Sequence, residues 1–171
     1  MSDAVCIEGI DPGSKGAVAF LWATYGWLKV VSLPTFKVTK SRTFTYVDAE
    51  SLVDLIEEHR AVHGYLERVH SHPHDGPVGA FTFGDNFGSI KGCHARRVPL
   101  TEVEPGLWKT QMGVAANKKE SIARAKWLMP DCSQLFTRSD LAEAAMIALY
   151  GAFDMNIPVN RRIKPYTEGC L

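Results

Sequence analysis

Four carboxylates in this chain have the types and spacing to do chemistry. Asp11 ends the apolar run VCIEGID (5–11) and is followed by the glycine-punctuated turn PGSKG. Glu67 lies inside the short apolar stretch YLERV (65–69), where a carboxylate is out of place unless something offsets its burial. Asp140 and Glu143, in SDLAE (139–143), are separated by i and i+3, so on a helix both project from one face. Each has an ordinary explanation: a turn, a strand-edge ion pair, or acids complementing a helix N-terminus. Brought together, four carboxylates would repel one another unless cations sat between them. Oxygen-rich sites of that kind select Mg²⁺ or Mn²⁺. Two such ions ~4 Å apart can activate water and stabilise the leaving oxygen in phosphodiester hydrolysis. The glycine-rich loop after Asp11 leaves a rival open, a backbone cradle for the phosphates of a nucleotide.

The elements that must position these acids can be read from local pattern. Residues 5–11, 16–22 and 27–33 are predicted strands, the last two joined by a turn over Thr24, Tyr25 and Gly26, forming an antiparallel meander. The polar, basic stretch 35–45 is expected to be a loop or mobile edge. Residues 48–60 carry a capping acid and apolar residues at helical spacing, predicting an amphipathic helix. A strand over 64–69 would run beside the first. A His-, Gly-, Pro- and Phe-rich segment then leads into a helix through about residue 97. A strand over 99–105 and helices over 117–130 and 139–153 complete the order. Antiparallel strands followed by alternating strands and helices predict an α/β protein with the ribonuclease H-like layout: a five-stranded mixed sheet with helices on both faces.

Bulk properties agree with one globular domain spanning 1–171, its tail from about 155 peripheral. The 171 residues suffice for one buried core, and 46% hydrophobic with 22% charged residues excludes a disordered chain. The longest apolar run, 17–23, is far too short to cross a membrane. Four scattered cysteines without a CxxC pair argue against a zinc finger or disulfide scaffold and fit a reducing cytoplasm. The formal net charge of zero neither supports nor excludes nucleic-acid binding, because an acidic cluster cancels a basic patch in the sum.

The blocks GIDPGSKGAVAF, YLERV, PGLWKTQMG with NKKESIARA, and SDLAEAAMIALYG resemble, in order and spacing, the RuvC-like Holliday-junction resolvases, most of all those carried by bacteriophages. The resemblance runs from about residue 5 to 153. It implies a crossover junction endodeoxyribonuclease with two Mg²⁺ per active site, Mn²⁺ able to substitute, acting as a homodimer on branched DNA and leaving 5′-phosphate ends. It implies that Asp11, Glu67, Asp140 and Glu143 are both catalytic and metal-binding. The last acid is Glu where bacterial members usually carry Asp. Those members also place an aromatic residue after the strand-four acid, whereas this chain has Val69-His70-Ser71-His72; Phe81, Phe83 and Phe87 follow further on and either serve that role or pack in the core.

For DNA phosphates the resemblance points to Lys109 and to Lys118 or Lys119, the latter matching the family's second lysine better. Lys15 and Arg68 join them as candidates, with Arg42, Lys91, Arg96, Arg97 and Arg138 unranked behind. His70, His72 and His74 alternate; with no Cys or further His nearby, the run predicts a loop rather than a zinc site. His70, three residues past Glu67, is a candidate for contacting the junction or moving a proton. Two readings from other classes remain: a nucleotide-binding protein of the actin and sugar-kinase type, and a non-catalytic branched-DNA-binding protein.

Overall fold

The structure, a computed structural model, describes residues 5–13, 15–39, 41–70, 76–114 and 118–168. Strands β1 (Cys6–Asp11), β2 (Ala17–Trp22) and β3 (Trp27–Ser32) form the expected antiparallel meander. Strand β6 (His63–Glu67) runs parallel to β1, and β7 (Leu100–Val103) parallel to β6. A two-residue strand, β8 (Lys164–Pro165), pairs with the outer edge of β3. The sheet therefore has six strands in the order β7-β6-β1-β2-β3-β8, one more than expected, because the segment after 155 returns to the sheet edge and buries Ile163.

Helices α1 (Ala49–His59) and α2 (Pro77–His94) cover one face, burying Leu52, Ile56 and Ile90 against Cys6, Ile10, Val18 and Phe20. Asp48 caps α1 by accepting from the Ser51 backbone N–H at 3.2 Å. The other face carries α3 (Pro105–Met112), α4 (Lys118–Leu128), a 3-10 helix over Pro130–Leu135, and α5 (Ser139–Asp154). Helix α3 and the 3-10 helix give no periodic signal in the sequence, being short and opened by prolines. No helix among the described residues is long and apolar enough to cross a membrane.

One expectation is corrected outright. Residues 35–45 are not a loop; β4 (Thr35–Thr39) and β5 (Thr43–Val47) form a separate antiparallel hairpin. The polar, basic composition hides a strict alternation, Thr35, Lys37 and Thr39 against Phe36 and Val38, then Thr43 and Thr45 against Phe44 and Tyr46. That is the period of a strand, built from β-branched and aromatic residues.

Helix α5 lies unusually close to the sheet. A β-carbon at Gly9 would overlap the Ala144 carbonyl oxygen and the Ala148 backbone nitrogen, so only glycine allows this approach. Ala144, Ala145, Ala148 and Ala152 are fully buried along the same stripe. The close crossing over β1 brings the first turns of α5 to the end of the strand that carries Asp11.

Candidate active site

Two parallel neighbours deliver the first two acids. The β1–β6 register pairs Ile10 with Leu66, so Asp11 and Glu67 leave adjacent strands side by side at their carboxyl ends. Strand alternation puts both on the α5 face, with Ile7 and Tyr65. From α5, Asp140 and Glu143 reach the same edge. Asp11, Asp140 and Glu143 line one cleft of about 580 Å³, together with Gly13, Lys15 and Arg138. Glu67 opens onto a neighbouring groove of about 720 Å³ that includes Arg68, His70, Phe83 and Lys109.

The electrostatics register the convergence. Desolvation of the Asp11 carboxyl, and then the charges of Glu67, Glu143 and Asp140, push it up to about 7, against the lowering effect of a hydrogen bond from the Gly13 N–H. Burial likewise raises Glu67, with Glu143 adding to it, while Lys109 and Trp108 act the other way.

Each partner acid is held. Trp108 donates its indole N–H to Glu67 Oε1 at 3.0 Å. The Lys109 ammonium lies between the glutamates, 3.7 Å from Glu67 Oε1 and 3.5 Å from Glu143 Oε2. Ser121 donates to Glu143 Oε1 at 2.8 Å. Arg138 grips both oxygens of Asp140 and reaches the Lys15 carbonyl oxygen and Ser32 Oγ. Of these, Trp108 and Ser121 are acid-holding residues that sequence reasoning does not find. The tryptophan stands beside the expected Lys109, but nothing local marks Ser121, whose partner is 22 positions away.

The donor set suits a hard divalent cation: four carboxylates, no sulfur, and a positive group already seated between two of them as the Lys109 ammonium. Among the described residues, no three acids, His or Cys already converge as a ready metal cage. The chemistry of the site fits the metal, while its side chains are drawn onto the chain's own cations, Lys109 and Arg138.

The remaining candidates separate. Lys15 is exposed beside Asp11. Arg68 pairs with Glu104 at 3.1 Å, and His70 Nε2 lies 3.5 Å from the same residue. Lys118 and Lys119 begin the backbone of α4, their side chains outside the described residues. His72 and His74 also lie outside them. Phe81 is 76% exposed on α2, Phe83 lines the Glu67 groove, and Phe87 packs against the core. Lys91 and Arg97 pair with Glu102 and Glu57. Phosphate cradling finds little room in the loop after β1, because the Gly13 N–H bonds Asp11 Oδ1 and the Gly16 N–H bonds the Gly13 carbonyl at 2.7 Å.

A mixed sheet with this order and helices on both faces is a ribonuclease H-like fold. Among solved structures, the chain is similar to Thermus thermophilus RuvC in complex with Holliday junction substrate, with a TM-score of 0.59 at 15% identity over 89% of this chain and 95% of that one. It is similar also to Thermus thermophilus RuvC alone, with a TM-score of 0.56 at 17% identity over 89% and 96%. No family model matches the sequence, and no curated protein sequence matches it. The likeness is one of fold.

Proposed function

We propose that this protein is a divalent-metal-dependent endonuclease that resolves four-way and related branched DNA, of the kind carried by bacteriophages, acting as a homodimer in a bacterial cytoplasm. One observation carries the reading: Asp11, Glu67, Asp140 and Glu143 converge at one sheet edge, in a fold like that of a protein solved with Holliday junction substrate. A two-fold substrate cut on two strands suits two sites related by a two-fold axis.

Asp11 and Glu67 would hold the cations from the sheet, with Asp140 and Glu143 closing the shell from α5. When bound, Mg²⁺ or Mn²⁺, two to a site, supplies Lewis-acid charge to the attacking and departing oxygens of an in-line displacement at phosphorus. The chain's own groups do the rest. Trp108 ties one oxygen of Glu67 and Ser121 one oxygen of Glu143, setting the direction of the other. Burial and the neighbouring acids push the Asp11 carboxyl up to about 7, a penalty on its charged form that a bound cation would offset. Lys109 offsets part of the charge of the two glutamates and offers its ammonium to the non-bridging oxygens of the phosphate. The water oxygen bonds to phosphorus as the bond to the 3′ oxygen breaks. The water gives up one proton to solvent and the 3′ oxygen takes one up, leaving 5′-phosphate and 3′-hydroxyl ends.

The nucleotide-binding reading is disfavoured by the loop itself, whose Gly13 and Gly16 N–H groups are engaged internally. The direct test incubates the protein with synthetic four-way, three-way and duplex DNA in Mg²⁺ or Mn²⁺ and maps the cuts. Asp11→Asn and Glu67→Gln proteins are expected to bind the junction and leave it intact. Cutting by either variant at the wild-type rate would refute the site, and an inert wild type would refute catalysis.

A further inference from the structure

The described cations divide by what faces them. Lys29, Arg68, Lys91, Arg97 and Arg162 each pair with a neighbouring carboxylate away from the acid cluster. Lys15 and Lys37 are exposed and, like Arg42, Arg60, Arg96, Lys126 and Arg161, form no ion pair with a carboxylate among the described residues; what sets these two apart is their place. Both line one cleft of about 310 Å³, together with Ser32, Thr35, Thr45 and Arg138. That cleft shares Lys15, Gly16 and Arg138 with the cleft holding Asp11, Asp140 and Glu143, so one runs into the other.

The hairpin supplies the far wall. Lys37 stands opposite Thr45 and Thr39 opposite Thr43, so Thr35, Lys37, Thr39, Thr43 and Thr45 share a face of hydroxyls and one ammonium, with the buried Val47 at its base opposite Thr35. The reverse face is apolar, with Phe36 stacked on Tyr46 at 5.8 Å. The hairpin is pinned in place. Asn86 of α2 accepts from the Val47 N–H and donates to the Thr45 carbonyl, both at 2.9 Å, and the Asp48 N–H closes the base on the Pro34 carbonyl at 2.9 Å.

Hydroxyls interleaved with ammonium and guanidinium groups are the chemistry that grips a sugar–phosphate backbone, whatever the base sequence. We infer that the β4–β5 hairpin is a DNA-backbone arm: Lys37, with Lys15, holds phosphates of the strand leading away from the acid cluster, across a cleft whose Arg138 is already engaged with Asp140. This rests on the nuclease reading. It adds a contact, Lys37, and an element that the sequence pattern presents as a loop.

The test measures binding of a four-way junction by Asp11→Asn protein across a salt series, with and without Lys37→Gln, and steady-state cleavage by Lys37→Gln alone. Lys37→Gln is expected to weaken binding about 3- to 10-fold near physiological salt and to flatten the log–log salt slope by about 0.9, the value of one phosphate contact. KM is expected to rise by more than kcat falls. Lys29→Gln, whose lysine pairs with Glu58 on α1, serves as the control and is expected to leave the slope unchanged. A wild-type protein that cuts junctions while Lys37→Gln keeps its affinity and slope overturns the arm and spares the nuclease reading. So does an equal loss of slope in Lys29→Gln. A wild-type protein that neither binds nor cuts branched DNA overturns both.

Discussion

Trp108 and Glu67, 41 positions apart in the chain, meet in the interior through a 3.0 Å hydrogen bond from the indole N–H to the carboxylate. Trp108 is fully buried and the Glu67 side chain is 9% exposed, so the bond aims an acid that has little water to satisfy it. Trp108→Phe keeps an aromatic ring, removes the donor and leaves a small cavity. It is expected to lower stability by about 1–3 kcal/mol, the cost of an unpaired buried polar group, and to slow junction cleavage severalfold. Urea unfolding and initial rates measure both. Unchanged cleavage would leave Trp108 as packing alone.

Asp11 gives a prediction that needs no DNA. Its carboxyl is raised from 3.8 to about 7, so between those values the folded protein binds more protons than the unfolded chain, and stability falls as pH rises through that window. Asp11→Asn removes the cost. In EDTA at about pH 8 the variant is expected to be more stable than wild type, by at most about 4 kcal/mol, and near parity at about pH 4. Added Mg²⁺ is expected to raise the wild-type melting temperature at about pH 8 and leave the variant flat. A variant less stable than wild type in EDTA would mean that burial and the neighbouring acids do not penalise the Asp11 carboxylate.

A second pH effect comes from the opposite face of the sheet. His94 Nε2 lies 2.9 Å from Glu8 Oε2, both buried, and His94 Nδ1 lies 2.7 Å from the Ile90 carbonyl oxygen. Burial alone would lower the His94 pKa, as does the charge of Arg97. The hydrogen bond and charge of Glu8 outweigh them and raise it. A raised folded value means that the contribution is complete below the unfolded pKa of about 6.5 and fades as pH climbs through the folded one. Wild type is therefore expected to lose more unfolding free energy than His94→Gln from about pH 6 to about pH 9. Parallel profiles would refute the charged pair.

Asn86→Ala tests the seat of the hairpin. It leaves the Val47 N–H and Thr45 carbonyl without their partner, with an expected cost of about 1–3 kcal/mol. Amide exchange at Val47 is expected to quicken more than exchange within β1. Equal protection in both strands would mean that the hairpin is held by other contacts.

Much of this is legible locally. An acid in a buried strand, an acid before a glycine turn and two acids one helical turn apart are short-range signals, and all four reach one edge. The meander and the amphipathic helix announce themselves by period. The β4–β5 hairpin does not, because lysines and threonines mask an alternation that is present. Glu8 carries the same mark as Glu67, a carboxylate inside an apolar run, but its partner His94 is 86 positions away and no local pattern points to it.

What the chain determined by itself is thus the frame of the site: the meander, the strand beside it and the longer helices, and which carboxylates they carry at their ends. The tertiary structure decided the company those carboxylates keep. Strand order sets Asp11 beside Glu67, and the bare Gly9 lets α5 press close enough to add Asp140 and Glu143. Lys109, Trp108, Ser121 and Arg138 then find their acids. Such pairings depend on packing distances between residues far apart in the chain, and no local period of hydrophobic or polar residues encodes them.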